Sequence, residues 1–137
     1  LYGGAITVNL PANLIDASDM RQVPDAQEVF LDRNSDMSII FEILDRVEPA
    51  DPDEAARFHF DSIAHDSSAQ SSTVDDVRIP DEQRQAPPHT PKPILLEGVQ
   101  QVAKFNRTQL DNVKIFLALY RLTELPHDIV FALNVPL

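Results

Sequence analysis

Cysteine is absent from the 137 residues, and glycine occurs only three times, at Gly3, Gly4 and Gly98. Without cysteine the chain has no disulfides, no cysteine-ligated zinc and no cysteine nucleophile. Dinucleotide fingerprints and nucleotide-binding loops need several closely spaced glycines, so three exclude both. No apolar run approaches the roughly 18 to 20 residues that cross a bilayer. We therefore expect no bound cofactor and no insertion into a membrane.

Basic residues are also scarce, with 11 Lys and Arg against 22 Asp and Glu, for a formal net charge of −11. Residues 16–66 hold 14 acids and 4 arginines, and so carry 4 − 14 = −10 of that charge. Such a field repels nucleic acids and anionic membranes at long range. It suits either a solvated acidic face or a docking surface for a cationic protein, and charge alone leaves both interpretations open.

Alternating apolar residues predict a sheet of about six strands. A polar turn at residues 33–36 makes a hairpin of the second and third strands. Residues 15–25 are rich in Asp, Ser and Pro and favour turns or a short capped helix. The predicted strands span residues 5–10, 27–32, 37–47, 94–105, 113–122 and 129–135, and Gly98 is a candidate bulge.

A helix is predicted to begin at residue 52, because Asp51 is suited to cap it and Pro52 to occupy its first position, with Glu54 completing a capping box. Its apolar stripe follows at Ala56, Phe60, Ile63 and Ala64. The strand over residues 37–47 is apolar on both faces, so both must be covered. The expected fold is thus α/β, in a single domain over residues 1–137.

Residues 66–93 are rich in Ser, Gln, Asp and Pro and contain no aromatic residue. We expect most of this segment to be an exposed Ser/Pro-rich loop. The segment also allows a short strand over residues 73–79, because this part contains the apolar residues Val74, Val77 and Ile79.

Catalytic patterns are weak throughout the sequence. The four histidines are scattered, and no serine lies in a nucleophile-elbow context, so we expect neither a metal site nor an enzyme. Asp25 and Glu28 stand three residues apart where a turn leads into a strand. In one interpretation, Asp25 hydrogen-bonds its own turn amides and Glu28 is an ordinary outward-facing strand residue. In the other, the two carboxylates, beside Asp16, Asp19 and Arg21, bind a basic protein surface.

Ten segments spread along the chain form one sequence pattern. They are Leu1-Tyr2-Gly3-Gly4-Ala5-Ile6, Leu10-Pro11, Ile15-Asp16-Ala17-Ser18, Arg21, Val23-Pro24-Asp25, Gln27-Glu28-Val29-Phe30, Arg57-Phe58-His59-Phe60-Asp61, Ala118-Leu119-Tyr120-Arg121-Leu122-Thr123, Asp128-Ile129-Val130 and Asn134-Val135-Pro136-Leu137. Together these segments resemble the Mog family of Ran guanine nucleotide release factors. The resemblance covers nearly the whole chain except residues 66–93.

This resemblance implies an α/β/α sandwich on a central antiparallel sheet, the fold shared with PsbP-type proteins. It also implies binding to the Ran GTPase, promotion of guanine nucleotide release and support of nuclear protein import, in the nucleus and cytoplasm. In the family, acids at the positions of Asp25 and Glu28 are needed for Ran binding. We expect a monomeric regulator in which Asp16, Asp19, Arg21 and Gln27 assist them.

The competing interpretation is an adaptor or trafficking module that binds protein partners without affecting nucleotide. Family members also usually continue beyond the Asn-Val-Pro segment into a C-terminal helix. We therefore expect either that one sheet face is less covered in this chain or that the sequence has been shortened.

Overall fold

The fold is built on a seven-stranded sheet with the strand order β1-β2-β3-β7-β6-β5-β4. The computed structural model describes residues 10, 12, 14–19, 26–48, 51–80, 92–103, 110–122 and 125–137. All neighbouring strands are antiparallel. The elements are β1 (Leu14–Asp16), a 3-10 turn (Ala17–Asp19), β2 (Gln27–Asp32), β3 (Ser38–Asp45), α1 (Pro52–Asp66), β4 (Ser71–Arg78), β5 (Ile94–Ala103), β6 (Leu110–Arg121) and β7 (His127–Pro136).

The first part of the sheet follows local sequence signals. The predicted hairpin of β2 and β3 is confirmed, and Glu28 pairs with Phe41 across it. The 3-10 turn confirms the short helical turn expected after residue 15. β1, with Ile15 opposite Leu31, was not predicted as a strand. The strand predicted over residues 5–10 lies outside the described residues.

Helix α1 begins where the capping signal placed it. Asp51 has extended backbone angles, and its carboxylate accepts a hydrogen bond from the Glu54 amide at 3.1 Å. Ala56 and Phe60 are fully buried, as the predicted stripe requires, but His59 is buried as well. The buried side of the helix is therefore wider than the apolar pattern indicated.

The core lies between α1 and the strands β5, β6 and β7, where Leu96, Leu117 and Leu119 are buried with Phe60. The buried Gln100 side chain donates to the Phe60 carbonyl at 3.0 Å and so ties the helix to β5. The opposite sheet face carries aromatic contacts of its own, with the Phe41 and Phe131 ring centroids 4.9 Å apart. Both faces are apolar, as the sequence predicted.

Gly98 is needed for close packing, and the prediction that it forms a bulge is wrong. The register shift lies in the partner strand β4, between Val74 and Asp76. A Cβ atom at residue 98 would lie 2.5 Å from Cζ of Phe60 and 2.6 Å from the Thr73 carbonyl oxygen. The helix therefore reaches the sheet only because this position has no side chain.

The predicted Ser/Pro-rich loop at residues 66–93 contains an eight-residue strand, β4. It begins two residues before the short strand allowed at residues 73–79 and forms the sheet edge opposite β1. Residues 81–91 lie outside the described part of the chain. A seven-stranded antiparallel sheet with a helix packed on one face agrees with the predicted α/β sandwich. Within the described residues it contains five of the six predicted strands, together with β1 and β4.

No helix within the described residues is long and apolar enough to span a bilayer.

Candidate functional site

One end of the sheet collects carboxylates from three segments. β1 and β3 finish there and β2 starts there, with the Ala26 carbonyl accepting a hydrogen bond from the Ile43 amide at 2.9 Å. Asp45, the last residue of β3, and Glu48, three residues beyond it, are exposed at the same end. We call this part of the molecule the acidic end. It carries Asp16, Glu28, Asp45 and Glu48, with Arg46 as the nearby base.

Asp16 and Glu28 share one face of the acidic end. Asp16 pairs with Phe30, and residues two apart in a strand point to the same side, so Glu28 is its diagonal neighbour. Such neighbours lie about 7 to 8 Å apart. Both side chains are half-buried. Two carboxylates at this spacing can receive one or two cationic side chains from a partner.

The Asp16 carboxylate is oriented by its own turn. Its Oδ1 accepts hydrogen bonds from the Ser18 amide at 2.9 Å and from the Ser18 hydroxyl at 2.8 Å. These are the local bonds that Asp and Ser form in turns. They fix the carboxylate in place and leave its negative charge uncompensated, because both donors are neutral.

The remaining predicted site residues lie in different places relative to Asp16 and Glu28. Asp19 ends the 3-10 turn beside it. Gln27 precedes Glu28 in the strand, so it faces the opposite side of the sheet. Asp25 and Arg21 lie outside the described residues.

Gln27 lines a groove of about 410 Å³ on the helix side of the sheet. Apolar side chains including Ile40 and Ile115 contribute to its lining. Four carboxylates line it as well: Asp36, Glu42, Asp66 and Asp111. Gln27 is therefore a groove residue, and any contact it makes with a partner is made from a different face than that of Glu28.

A buried ion network, which sequence reasoning missed, lies under the acidic end. The side chain of Asp128 is 0% exposed, and its Oδ2 lies 2.9 Å from Nε2 of His59, itself 3% exposed. Its Oδ1 accepts from Nε of Arg121 at 3.2 Å. We call His59, Arg121 and Asp128 the buried triad.

The buried triad holds the backbone of Val47 from both sides. Asp128 Oδ2 accepts from the Val47 amide at 3.3 Å, and Nη2 of Arg121 donates to the Val47 carbonyl at 2.7 Å. Because both its amide and its carbonyl are bonded to triad side chains, the backbone of Val47 is held in place. His59 and Asp128 are shielded from solvent, so this arrangement supports the fold and gives a substrate no access.

The triad residues come from three of the segments that carried the family resemblance, around His59, Arg121 and Asp128. Their spacing along the chain gave no sign that they meet, since residues 59 and 128 are 69 positions apart. Within the described residues, no group of three His, Cys, Asp or Glu side chains is placed to hold a metal ion.

Comparison with known proteins identifies the family. The family model described as Ran-interacting Mog1 protein matches residues 1–136. The Ran guanine nucleotide release factor of Danio rerio is 34% identical over 139 residues, covering 99% of this chain and 76% of the relative. The protein of the same name from Bos taurus is 36% identical over 137 residues, covering 99% and 74%. Nuclear import protein mog1 of Schizosaccharomyces pombe is 34% identical over 143 residues, covering 100% and 75%.

The structural comparison agrees with the sequence comparison. The crystal structure of the Saccharomyces cerevisiae Ran-binding protein Mog1p superposes with a TM-score of 0.78 at 31% identity, covering 100% of this chain and 75% of that one. A structure of a Mog1 variant with a glutamate replaced by alanine gives a TM-score of 0.74 at 30% identity, with the same coverage. The chain belongs to the Mog1 family of Ran-interacting proteins.

Proposed function

We propose that this chain binds the Ran GTPase, promotes guanine nucleotide release from it and thereby supports nuclear protein import, acting in the nucleus and cytoplasm. It acts as a GTPase regulator and contributes no catalytic chemistry of its own. The observation that carries the proposal is the pairing of Asp16 and Glu28 on one face of the acidic end in a member of this family. The names of its relatives, Ran guanine nucleotide release factor and nuclear import protein, support it.

In this proposal Glu28 makes the central contact with a basic side chain of Ran. Asp16 adds a second carboxylate, already oriented by Ser18. Asp25, three residues before Glu28, is assigned to the same contact by the family resemblance, with Asp19, Arg21 and Gln27 assisting. Because the surrounding segment carries most of the net charge, the encounter with Ran is faster at low salt.

Release follows from coupling between two binding equilibria on Ran. If this chain lowers the affinity of Ran for nucleotide, nucleotide must lower the affinity of Ran for this chain by the same factor. The chain therefore binds nucleotide-free Ran most tightly. No nucleotide site on this chain is required for that effect.

The direct test is release of a fluorescent guanine nucleotide from Ran with and without the chain. We expect release to accelerate with increasing chain concentration and then to saturate. Binding without any acceleration contradicts the release activity and indicates an adaptor. Absence of binding contradicts the whole proposal.

The site is tested by Glu28→Lys, which reverses a charge on the proposed contact face. We expect affinity for Ran to fall about tenfold or more, because a paired charge is replaced by a repelling one. Isothermal titration calorimetry at two salt concentrations measures both the affinity and its salt dependence.

Asp76→Lys is the matched control, since Asp76 is exposed on β4 at the other edge of the same sheet. Five strand steps separate β2 from β4, which is about 24 Å and well beyond the screening length of roughly 8 Å at physiological salt. The control should change affinity less than about threefold. Equal losses in the two variants would show a general field effect and contradict the assignment of Glu28.

A further inference from the structure

An exposed aromatic ring stands near the acidic end. Phe58 lies on α1 and is 49% exposed, although its neighbours His59 and Phe60 are buried. Together with Arg46, Val47 and Glu48 it lines a shallow concavity of about 710 Å³. A half-exposed phenylalanine beside a concavity is the kind of group that anchors a protein partner.

The floor of this concavity is rigid. Val47 is held through both its amide and its carbonyl by the buried triad. The Phe58 ring stands edge-on to the ring of His59, with centroids 6.1 Å apart and planes at 86°. Little conformational freedom remains to be lost when a partner binds here, which favours affinity.

A second exposed apolar side chain flanks the same segment. Leu125 is 56% exposed and precedes Pro126, whose carbonyl accepts a hydrogen bond from the Arg46 amide at 3.0 Å. Phe58 and Leu125 therefore both lie close to residues 46–48 along the structure. Exposed apolar side chains of this size do not increase the solubility of a protein, unlike the exposed acids nearby.

The exposed charges on the bordering segment favour a cationic occupant. Over residues 45–48, Asp45 and Glu48 are exposed with Arg46, so this segment carries 1 − 2 = −1, and Glu48 lines the concavity together with Arg46. An aromatic face beside carboxylates suits a lysine or arginine, because the ring packs on the methylene stem and attracts the cation.

This surface is continuous with the acidic end. Ala26, two residues before Glu28, is bonded to Ile43. From Ile43 to Arg46 is three residues, which an extended chain covers in about 10 Å. A typical protein interface buries about 800 Å² on each partner and is roughly 30 Å across. One interface can therefore include Glu28 and the concavity beside Phe58.

We propose that Phe58 is the apolar anchor of the Ran-docking surface. A lysine or arginine of Ran packs its methylene stem on the Phe58 ring, and its charge lies against Glu48 and Asp45. This inference rests on the proposed function. It adds a contact on the helix side of the molecule to the carboxylates on the other sheet face. The partner then wraps around the end of the sheet.

The test is the affinity of Ran for the Phe58→Ala chain. We expect affinity to fall at least tenfold, and Phe58→Tyr, which keeps the ring, to stay within threefold of the unchanged chain. Phe116→Ala is the matched control, because Phe116 is 37% exposed on β6 and lies away from the acidic end. It should alter affinity less than twofold. Thermal melting checks that each variant folds.

The outcomes separate this inference from the proposed function. If the unchanged chain binds Ran and Glu28→Lys weakens it, but Phe58→Ala binds as tightly as the unchanged chain, the anchor is wrong and the proposed function stands. If the unchanged chain does not bind Ran, both are wrong. Should the alanine variant unfold, Phe58→Leu replaces it. A leucine removes the π face and keeps apolar volume, so we expect a loss of about threefold to tenfold, and an unchanged affinity overturns the anchor.

Discussion

Asp128→Asn is expected to destabilise the fold more than any conservative change on the surface. Asp128 accepts hydrogen bonds at both oxygens, at Oδ1 from Arg121 and at Oδ2 from the Val47 amide. An asparagine has one acceptor and one donor at these positions. In either orientation of the amide, its NH₂ group therefore faces a donor, which is Nε of Arg121 in one orientation and the Val47 amide in the other.

The magnitude follows from burial of the charges. Arg121 has a side chain only 10% exposed and loses its counter-charge in this variant. Removing one partner of a buried ion pair costs about 3 to 5 kcal/mol. Because Arg121 keeps its bond to the Val47 carbonyl, we place the loss at the lower end, about 3 kcal/mol. That is a large part of a typical unfolding free energy of about 5 to 15 kcal/mol.

Urea unfolding followed by circular dichroism measures the loss. Asp53→Asn is the matched control, because it removes the carboxylate from another Asp–Arg pair. Its partner Arg57 lies 2.5 Å away, and both side chains are 49% exposed. An exposed pair contributes about 0.5 kcal/mol or less. If the two variants lose equal stability, or if Asp128→Asn loses less than about 1 kcal/mol, burial is not what makes the triad important.

Two other changes test the packing and the electrostatics. Gly98→Ala places a methyl group 2.5 Å from the Phe60 ring and should lower the free energy of unfolding in urea by about 3 kcal/mol. Adding Phe60→Leu to this variant should recover part of that stability. Additive losses from the two substitutions would contradict the clash. Nζ of Lys114 donates a hydrogen bond to Oδ2 of Asp75 at 2.9 Å, and this bond raises the pKa of Lys114 above its ordinary value of 10.5. The stability from this pair is therefore fully present below pH 10.5 and is lost as the pH rises through the folded-state pKa. An NMR titration should show that pKa falling towards 10.5 in Asp75→Asn, and an unchanged value would refute the assignment.

The parts of the fold that the sequence predicted are those specified by local chemistry. β2 was predicted with the bounds the structure has, because its residues lie between polar turns. The start of α1 followed from the side-chain cap of Asp51 and the fixed φ of Pro52. These signals act within four residues, so no knowledge of distant segments was needed.

The parts that were missed depend on distant pairing. β1 is only three residues long and is a strand because β2 lies beside it. Gly98 was noticed in the sequence, but it was assigned to a bulge. The close contact between α1 and β5 explains why a glycine is needed at this position. A glycine is equally compatible with a bulge and with close approach of another element, and only the position of Phe60 decides between them.

The candidate site shows the same division. Residues of the acidic end were identified from charge and from family resemblance, and adjacent strand positions necessarily place Gln27 and Glu28 on opposite faces. The buried triad joins residues far apart in the sequence, so composition and spacing could not reveal it. A buried carboxylate such as Asp128 looks like any other acid in an acidic chain until its neighbours are known.

Acids at a sheet edge have a second physical explanation besides the binding of a partner. Edge strands commonly carry charges that prevent pairing with other chains. Asp16 on β1 satisfies that need at one edge, and Asp75 and Asp76 on β4 satisfy it at the other. Acidity of the edges is therefore expected whether or not Ran binds. What edge protection does not explain is a half-exposed Phe58 beside a rigid concavity at one end only. Glu28→Lys changes a charge on β2, beside one edge, and Asp76→Lys changes the same charge on the opposite edge strand β4, so unequal effects on Ran affinity distinguish docking from protection.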